Sequence, residues 1–565
     1  YARCITRYRT SHQFLITSFF IFILLLFYKK KVNIDPAVIC ALCLYYYFFI
    51  QVLFYNNNAP FYYVFVFLSP AVFFIPLFHK IDKPEFSLFL NFLLFLSLIY
   101  GLYQFAFLDI KRPYSFFGNP IFFGEFICIL FPVAVFNLTD KNFKIFSVIN
   151  ISLSLIVLFL CQSRGVLFSF LVSMVILIFM LIKSKKQYLF DLKNIIYILI
   201  IIGFVVILKP EIFKTAGIFM DKIKSTFSPG NQEISERIML GKSSLKIFMD
   251  KPVYGAGPGS IKKLLQLKES DFLRENDSLK FINSSYAHND YLQIISETGV
   301  IGILLFIFLI LLVSYMVEKE IVYYNDKEYI FTLCVFSSVL FILIESYFNF
   351  PLFVFPSCML FYFFLGLLYG DVSSDKKKSV FSFQPEILII LILLPLFVFF
   401  IKDIKKITSN IYLSSAIKQT YSDIEKAEIF FKKCILLDSE NFYNLTNFGT
   451  FYFNVNKYEQ SLQIFRYALD FYPYSADIYY NIGMIYNLHG RYKEAINNYK
   501  MALHLYPDFS QANLGLYEIY SRIMPDNEND YLIFLYKATG KNPDIINQME
   551  INPVYLKEIT FEITR

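Results

Sequence analysis

Up to residue 407 the chain is a succession of apolar runs separated by short polar connectors. A helix needs about 17–25 apolar residues to cross a bilayer. Runs of that kind lie near residues 13–28, 36–55, 61–78, 86–108, 120–138, 145–161, 165–182 and 194–208. A polar stretch, 209–287, interrupts them, and further runs follow near 291–316, 329–348, 352–368 and 386–401. This pattern predicts a polytopic helical bundle of about twelve spans with one large loop.

From residue 408 the long runs give way to amphipathic segments that repeat. Gly449 and Gly483, Tyr452 and Tyr486, Tyr458 and Tyr492, Phe465 and Tyr499, Ala468 and Ala502, and Pro473 and Pro507 are each 34 residues apart. That period and those residue types resemble tetratricopeptide repeats, with two good copies over 442–509. Ala427, Phe431 and Cys434 fit a worn copy ahead of them, and a degenerate copy is expected after Ser510. The expected fold class is therefore all-α: a membrane bundle over 1–407, followed by an α-solenoid over 408–565. Such arrays present a concave face, so the segment reads either as a rigid spacer or as a docking surface for a protein partner.

Composition agrees with this division, since 56% hydrophobic and 20% aromatic residues coexist with 17% charged ones. The net charge of +7 sits mainly in short connectors, which sets membrane topology and gives no ground for a nucleic-acid partner. The eight cysteines lie mostly inside apolar runs and form no metal or disulfide framework. Short cytoplasmic loops carry the excess of Lys and Arg. If Lys29–31, Lys80 with Lys83, Lys141 with Lys144, Lys183 with Lys185 and Lys186, and Lys376–378 are cytoplasmic, the large loop and the repeats fall on the extracytoplasmic side. The same alternation puts Tyr1 outside with Arg3, Arg7 and Arg9, and a span upstream of Tyr1 would restore the charge rule.

The large loop re-enters the bundle through Tyr286, Ala287, His288, Asn289 and Asp290; nine residues separate Asn289 from Gly299, and Gly302 follows. On a continuous helix His288 would stand roughly 15 Å above Gly299. The two glycines would let another backbone approach, as small residues do between helices in lipid. The His-Asn pair, the spacing and the glycine pair resemble the motif of the bacterial O-antigen ligase and polymerase superfamily. The Ser163-Arg164-Gly165 turn, the loop arginine Arg237 ahead of Pro252 and the turn Gly255-Ala256-Gly257-Pro258-Gly259, and the order of spans resemble that superfamily as well.

The resemblance implies a GT-C-like membrane glycosyltransferase that works by inverting displacement without a metal. It would use a polyprenyl-diphosphate-linked glycan and an acceptor hydroxyl on lipid A core, a growing glycan or a protein Ser or Thr. Arg164 and Arg237 would hold the diphosphate, and His288 would act as catalytic base or as a phosphate ligand. Asn119, leading into a span that bears Glu125, and Glu345, at a turn between late spans, are candidate pocket residues with Asn289. Glu297 would face a neighbouring helix. The sequence shows no metal-ligand spacing on this side, and no cofactor is expected. The implied location is the bacterial inner membrane. The competing reading is a non-catalytic scaffold that assembles an envelope complex through its repeats.

Overall fold

The computed structural model describes residues 32–34, 36–54, 69–78, 81–184, 192–209, 211–212, 217, 232–261, 264–265, 267–269, 284, 286–320, 326–373, 381–383, 385–507, 509–523 and 534. The span expected at 13–28, the first part of 61–78, and the lysines at 29–31 and 376–378 lie outside them.

Within this set the bundle is built from α1 (Pro36–Phe54), α2 (Lys83–Phe107), α3 (Pro120–Phe136), α4 (Lys144–Cys161), α5 (Arg164–Lys183), α6 (Leu192–Leu208), α7 (Gln232–Asp250), α8 (Asp290–Glu320), α9 (Asp326–Phe348) and α10 (Phe355–Ser373). Among the described residues six helices are long and apolar enough to cross a membrane by length and composition: α2, α3, α4, α5, α8 and α9. Shorter apolar helices occupy Pro36–Gln51, Lys193–Leu208 and Phe355–Gly370. The described part of 61–78 is a 3-10 stretch, Ser69–Phe74, running into a short helix, Ile75–Phe78. Proline at 70 and 76 removes backbone donors there and disfavours a long regular helix.

Polar side chains buried in this apolar bundle tie its helices together, the usual role of such groups in lipid. At one end Asn137, beyond α3, accepts from Ser87 of α2 at 2.8 Å and donates back to the Ser87 carbonyl at 3.1 Å. Asn150 of α4 donates to Asn91 of α2 at 2.6 Å. At the other end Arg112 Nε and Nη2 donate to the carbonyl of Cys161, the last residue of α4, at 3.2 and 3.0 Å. A guanidinium there complements the negative end of the helix dipole.

Two three-residue strands, β1 (Val32–Ile34) and β2 (Phe381–Phe383), pair antiparallel with Asn33 opposite Ser382. The connectors before α1 and after α10 therefore lie on the same side of the bundle. The charge pattern requires this of them.

Helix α11 (Pro385–Gln419) begins beyond β2 and runs unbroken past residue 407 into the repeats. The boundary expected at 407/408 thus falls inside a single helix. Its last turns pair with α12 (Ile424–Leu437), where Ser409 Oγ donates to the Cys434 carbonyl at 3.0 Å. This is the worn repeat, with Ala427, Phe431 and Cys434 buried in it. The two good copies are the pairs α13 (Phe442–Asn454) with α14 (Tyr458–Phe471), and α15 (Ala476–Leu488) with α16 (Tyr492–Leu505). Pro473 and Pro507 each stand two residues past the end of a second helix, where a proline cannot continue it. Helix α17 (Ser510–Ile523) packs on from there, as the degenerate copy requires.

Candidate active site at the broken helix

Helix α8 is not continuous. Gly299 stands at φ +68°, ψ −169°, a conformation essentially confined to glycine. A Cβ there would collide with the Val253 carbonyl. The backbone groups released by the break are taken up by the glycine-rich turn: Ala256 N–H donates to Ser296 O at 2.8 Å, Gly257 N–H to Glu297 O at 2.9 Å, and Val300 N–H to Pro252 O at 2.9 Å. Tyr47 of α1 donates to Thr298 O at 2.6 Å. Irregular backbone at membrane depth survives only when satisfied in this way.

The expectation of a straight helix is therefore corrected, and of the two glycines expected to face another helix Gly302 does so, against α1, while Gly299 does not. Gly299 admits the backbone of the loop, while Gly302 sits against the Tyr47 ring, 3.2 Å from where a Cβ would stand. Glu297 likewise faces the loop: it is fully buried beside the backbone of Gly259 and Ile261.

The same turn fixes the register of α7. Beside the first half of α8, a Cβ at Gly241 would meet Leu292 at 3.4 Å, and Ser296 Oγ donates to Ser244 O at 2.8 Å. Continued back towards the start of α7, this register brings Arg237 level with His288. Arg237 Nη1 donates to the Phe348 carbonyl at 2.7 Å. Asn289 caps α8 by accepting from Leu292 N–H at 3.0 Å, and its Nδ2 donates to the Tyr347 carbonyl at 3.1 Å. The His288 ring stands edge-on to Phe350, 5.0 Å between centroids, and Tyr286 stacks on Phe350 at 4.0 Å. Three residues singled out in the sequence, Arg237, His288 and Asn289, thus converge on the turn 347–350 that ends α9.

His288 itself is held at φ +52°, just ahead of the first turn of α8. It does not point freely outward as the straight-helix reading expects, for the residue is largely buried. Burial and the adjacent Arg237 charge push its imidazole from 6.5 down to about 4, while Asn349 acts in the opposite direction. The ring is neutral near pH 7, and its buried Nδ1 has no hydrogen-bond partner among the described residues. A neutral imidazole can accept a proton at the ring nitrogen that carries no hydrogen.

Beneath the turn lie three carboxylates from three helices. Glu345 accepts from Ser169 of α5 at 2.8 Å. Asp290 accepts from Ser346 Oγ at 2.7 Å and Leu352 N–H at 2.9 Å. Glu125 of α3 accepts from Asn349 Nδ2 at 2.7 Å. All three are buried and within electrostatic reach of one another. Buried polar groups need hydrogen-bond partners, and each of the three has at least one. Arg164 opens α5 at the same end of the bundle: a Cβ on its neighbour Gly165 would lie 3.3 Å from both Glu345 Oε1 and Phe348 Cβ. Asn119 stands at the start of α3. Its side chain accepts from Ile121 N–H at 2.8 Å and so caps α3. Among the described residues no group of three His, Cys, Asp or Glu is placed to hold a metal ion.

Sequence reasoning left out Ser169, took Ser346 and Asn349 only as part of the turn 345–352 that bears Glu345, and named Asp290 only as a neighbour of the motif. The usable signal was polarity inside apolar runs, because an intramembrane polar side chain is costly unless it has work to do.

Residues 149–307 match the family model for O-antigen ligase, and residues 476–509 match that for the tetratricopeptide repeat. The first match runs from within α4 to residue 307, past the break in α8, so it contains Arg164, Arg237, His288 and both motif glycines. It supports a membrane glycosyltransferase of the O-antigen ligase type. No curated protein matches the chain. Among solved structures, a crystal structure of MamA is similar at 19% identity over 23% of this chain and 75% of that one, with a TM-score of 0.21. MamA from Desulfovibrio magneticus RS-1 is similar at 17% identity over 25% and 78%, TM-score 0.22. Pseudomonas aeruginosa pilF is similar at 18% identity over 27% and 69%, TM-score 0.22.

Proposed function

We propose that this chain moves a glycan from a polyprenyl-diphosphate carrier to an acceptor hydroxyl at the outer face of a bacterial inner membrane. The observation that carries the reading is the convergence of Arg237, His288 and Asn289 on one turn, inside the segment that matches O-antigen ligase. Arg237, with Arg164 at the same end, holds the diphosphate and stabilises the charge that grows on it as it leaves. His288 takes the proton of the acceptor hydroxyl. The hydroxyl oxygen bonds to the anomeric carbon while the carbon–oxygen bond to phosphate breaks, its electron pair departs with the diphosphate, and the configuration inverts. The repeats dock a protein that is the acceptor or delivers it.

The test is release of polyprenyl diphosphate from a lipid-linked oligosaccharide by the purified protein in detergent, followed by mass spectrometry. Release is expected to need an acceptor and to fall by about 100-fold or more in His288→Ala and in Arg237→Ala. Full activity in both variants would take these roles from His288 and Arg237, and no release with any acceptor from folded wild-type protein would leave the scaffold reading, in which only the repeats matter.

A further inference from the structure

Helix α11 joins the bundle to the repeats, and its course fixes where the first repeat stands. Pro395 inside it has no N–H to give the Leu391 carbonyl. Tyr46 of α1 donates to that carbonyl instead, at 2.6 Å, and Tyr45 donates to the Ile392 carbonyl at 2.7 Å. Both α1 and α11 start just beyond the paired strands β1 and β2, so they run the same way. Near the end of α1, Gln51 donates to the Tyr254 carbonyl at 3.0 Å. Helix α11 therefore leaves the bundle at the end where the glycine-rich turn lies. Its apolar run stops at Ile401, and Lys402, Lys405 and Lys406 follow. Helix α12 then runs back towards the bundle. Ser409 stands opposite Cys434, and the Tyr412 ring opposite that of Phe430, 5.9 Å between centroids. That register puts Leu436 level with residues 406–407, roughly 7 Å beyond Lys402.

Leu436 is 86% exposed, and Ile429, two turns earlier on the same face, is 52% exposed. Lys432 and Lys433 lie between them and are exposed as well. Single exposed apolar side chains need no explanation. A leucine bared almost wholly, at the level of its helix nearest the apolar run of α11, does need one. We propose that this face of α12 rests on the bilayer that α11 has just left. Leu436 enters the headgroup layer, about 5–7 Å deep, while Lys432 and Lys433 keep their ammonium groups at its polar edge, as lysines of interfacial helices do. Their side chains already run that way: Lys432 turns back to Glu428 at 2.7 Å, and Lys433 lies over the Tyr412 ring at 5.2 Å, both further from the bundle than Leu436. The contact ties the repeat array to the membrane at the end of the bundle that bears the site. It goes beyond the transfer reading and does not depend on it.

The chain contains no tryptophan, so a single introduced indole reports alone. The experiment places the full chain in phospholipid nanodiscs as Leu436→Trp, Ile429→Trp or Ile424→Trp, and reads tryptophan emission with quenchers carried either on the lipid, near the headgroup, or by iodide in solution. All three positions are exposed, so the substitutions leave the repeat core as it is. Ile424 stands at the far end of the same helix, about 18 Å from Leu436, and controls for any attraction of the indole itself to lipid. Leu436→Trp is expected to emit furthest to the blue, to be quenched by the labelled lipid and to be shielded from iodide. Lipid quenching should weaken at Ile429→Trp and vanish at Ile424→Trp. Emission and iodide quenching alike at Leu436→Trp and Ile424→Trp would show a face open to water and overturn the proposal. Shielding from iodide at Leu436→Trp without quenching by the lipid would overturn it too, since a protein, a second copy or a partner, would then cover the face.

Discussion

Gly299 in the bundle and Gly483 in the repeats are both places where only glycine fits, for different reasons. Gly483 lies in an ordinary helix, and a Cβ there would come within 2.7 Å of the Tyr499 ring. Its counterpart one period earlier, Gly449, stands in the same relation to Phe465, also at 2.7 Å. The repeat thus uses glycine to bring two helices together, and does so in both good copies. Gly299 is needed for its backbone angles and for a carbonyl from a distant loop. It occurs once and serves one site. Regular packing can be copied along a chain, whereas a site must be assembled from parts that share no period.

That contrast can be broken by substitution. The largest effect is expected from Gly299→Ala: the backbone angle alone costs about 1–3 kcal/mol, and the collision with Val253 adds to it. Thermal unfolding in detergent should show a markedly lower midpoint, with faster hydrogen exchange across 252–257. An unchanged midpoint would mean that the break is not required. Gly483→Ala should cost less, about 1–3 kcal/mol for overpacking against a ring that is itself buried. Hydrogen exchange should quicken over 476–505 and stay as it was in α3, α8 and α9. Exchange that quickened equally in the bundle would show that the two regions unfold as one unit, which the continuous helix α11 makes a real alternative.

The smallest effect concerns charge. Glu428 of α12 binds Lys432 and Lys457, each at 2.7 Å. Those two lysines hold its carboxyl down from 4.5 to about 2. A carboxyl with a depressed pKa stabilises the fold above its unfolded value, and the contribution is lost as pH falls through the folded one. Exchange in the first repeats should therefore quicken as pH drops from about 4.5 to about 2, after correction for the intrinsic rate. Glu428→Gln should flatten that dependence, and high salt should weaken it. A pH response that survives the substitution would assign it to other carboxylates.

Much of this molecule is legible in the residues alone. Apolar runs of the right length give α2, α3, α4, α5, α8 and α9. The 34-residue period gives the helix pairs, down to the worn copy at Ala427 and Phe431. Both signals are local or strictly periodic, so each stretch declares its own state. The site was legible only as a set of names. Arg164, Arg237 and His288 could be singled out by position and resemblance, but the carboxylates that accompany them could not be grouped, because Glu125, Asp290 and Glu345 come from three helices far apart in sequence.

The sequence by itself determined which segments are helical, which are apolar enough to enter a membrane, and where the repeats begin again. Tertiary structure alone decided that α8 breaks at Gly299, that the glycine-rich turn fills the break, and that the resulting register brings Arg237 level with His288. The reason is that helix and hydrophobic period arise from neighbours a few residues apart, while the break is stable only because donors and acceptors some forty residues away satisfy the groups it exposes.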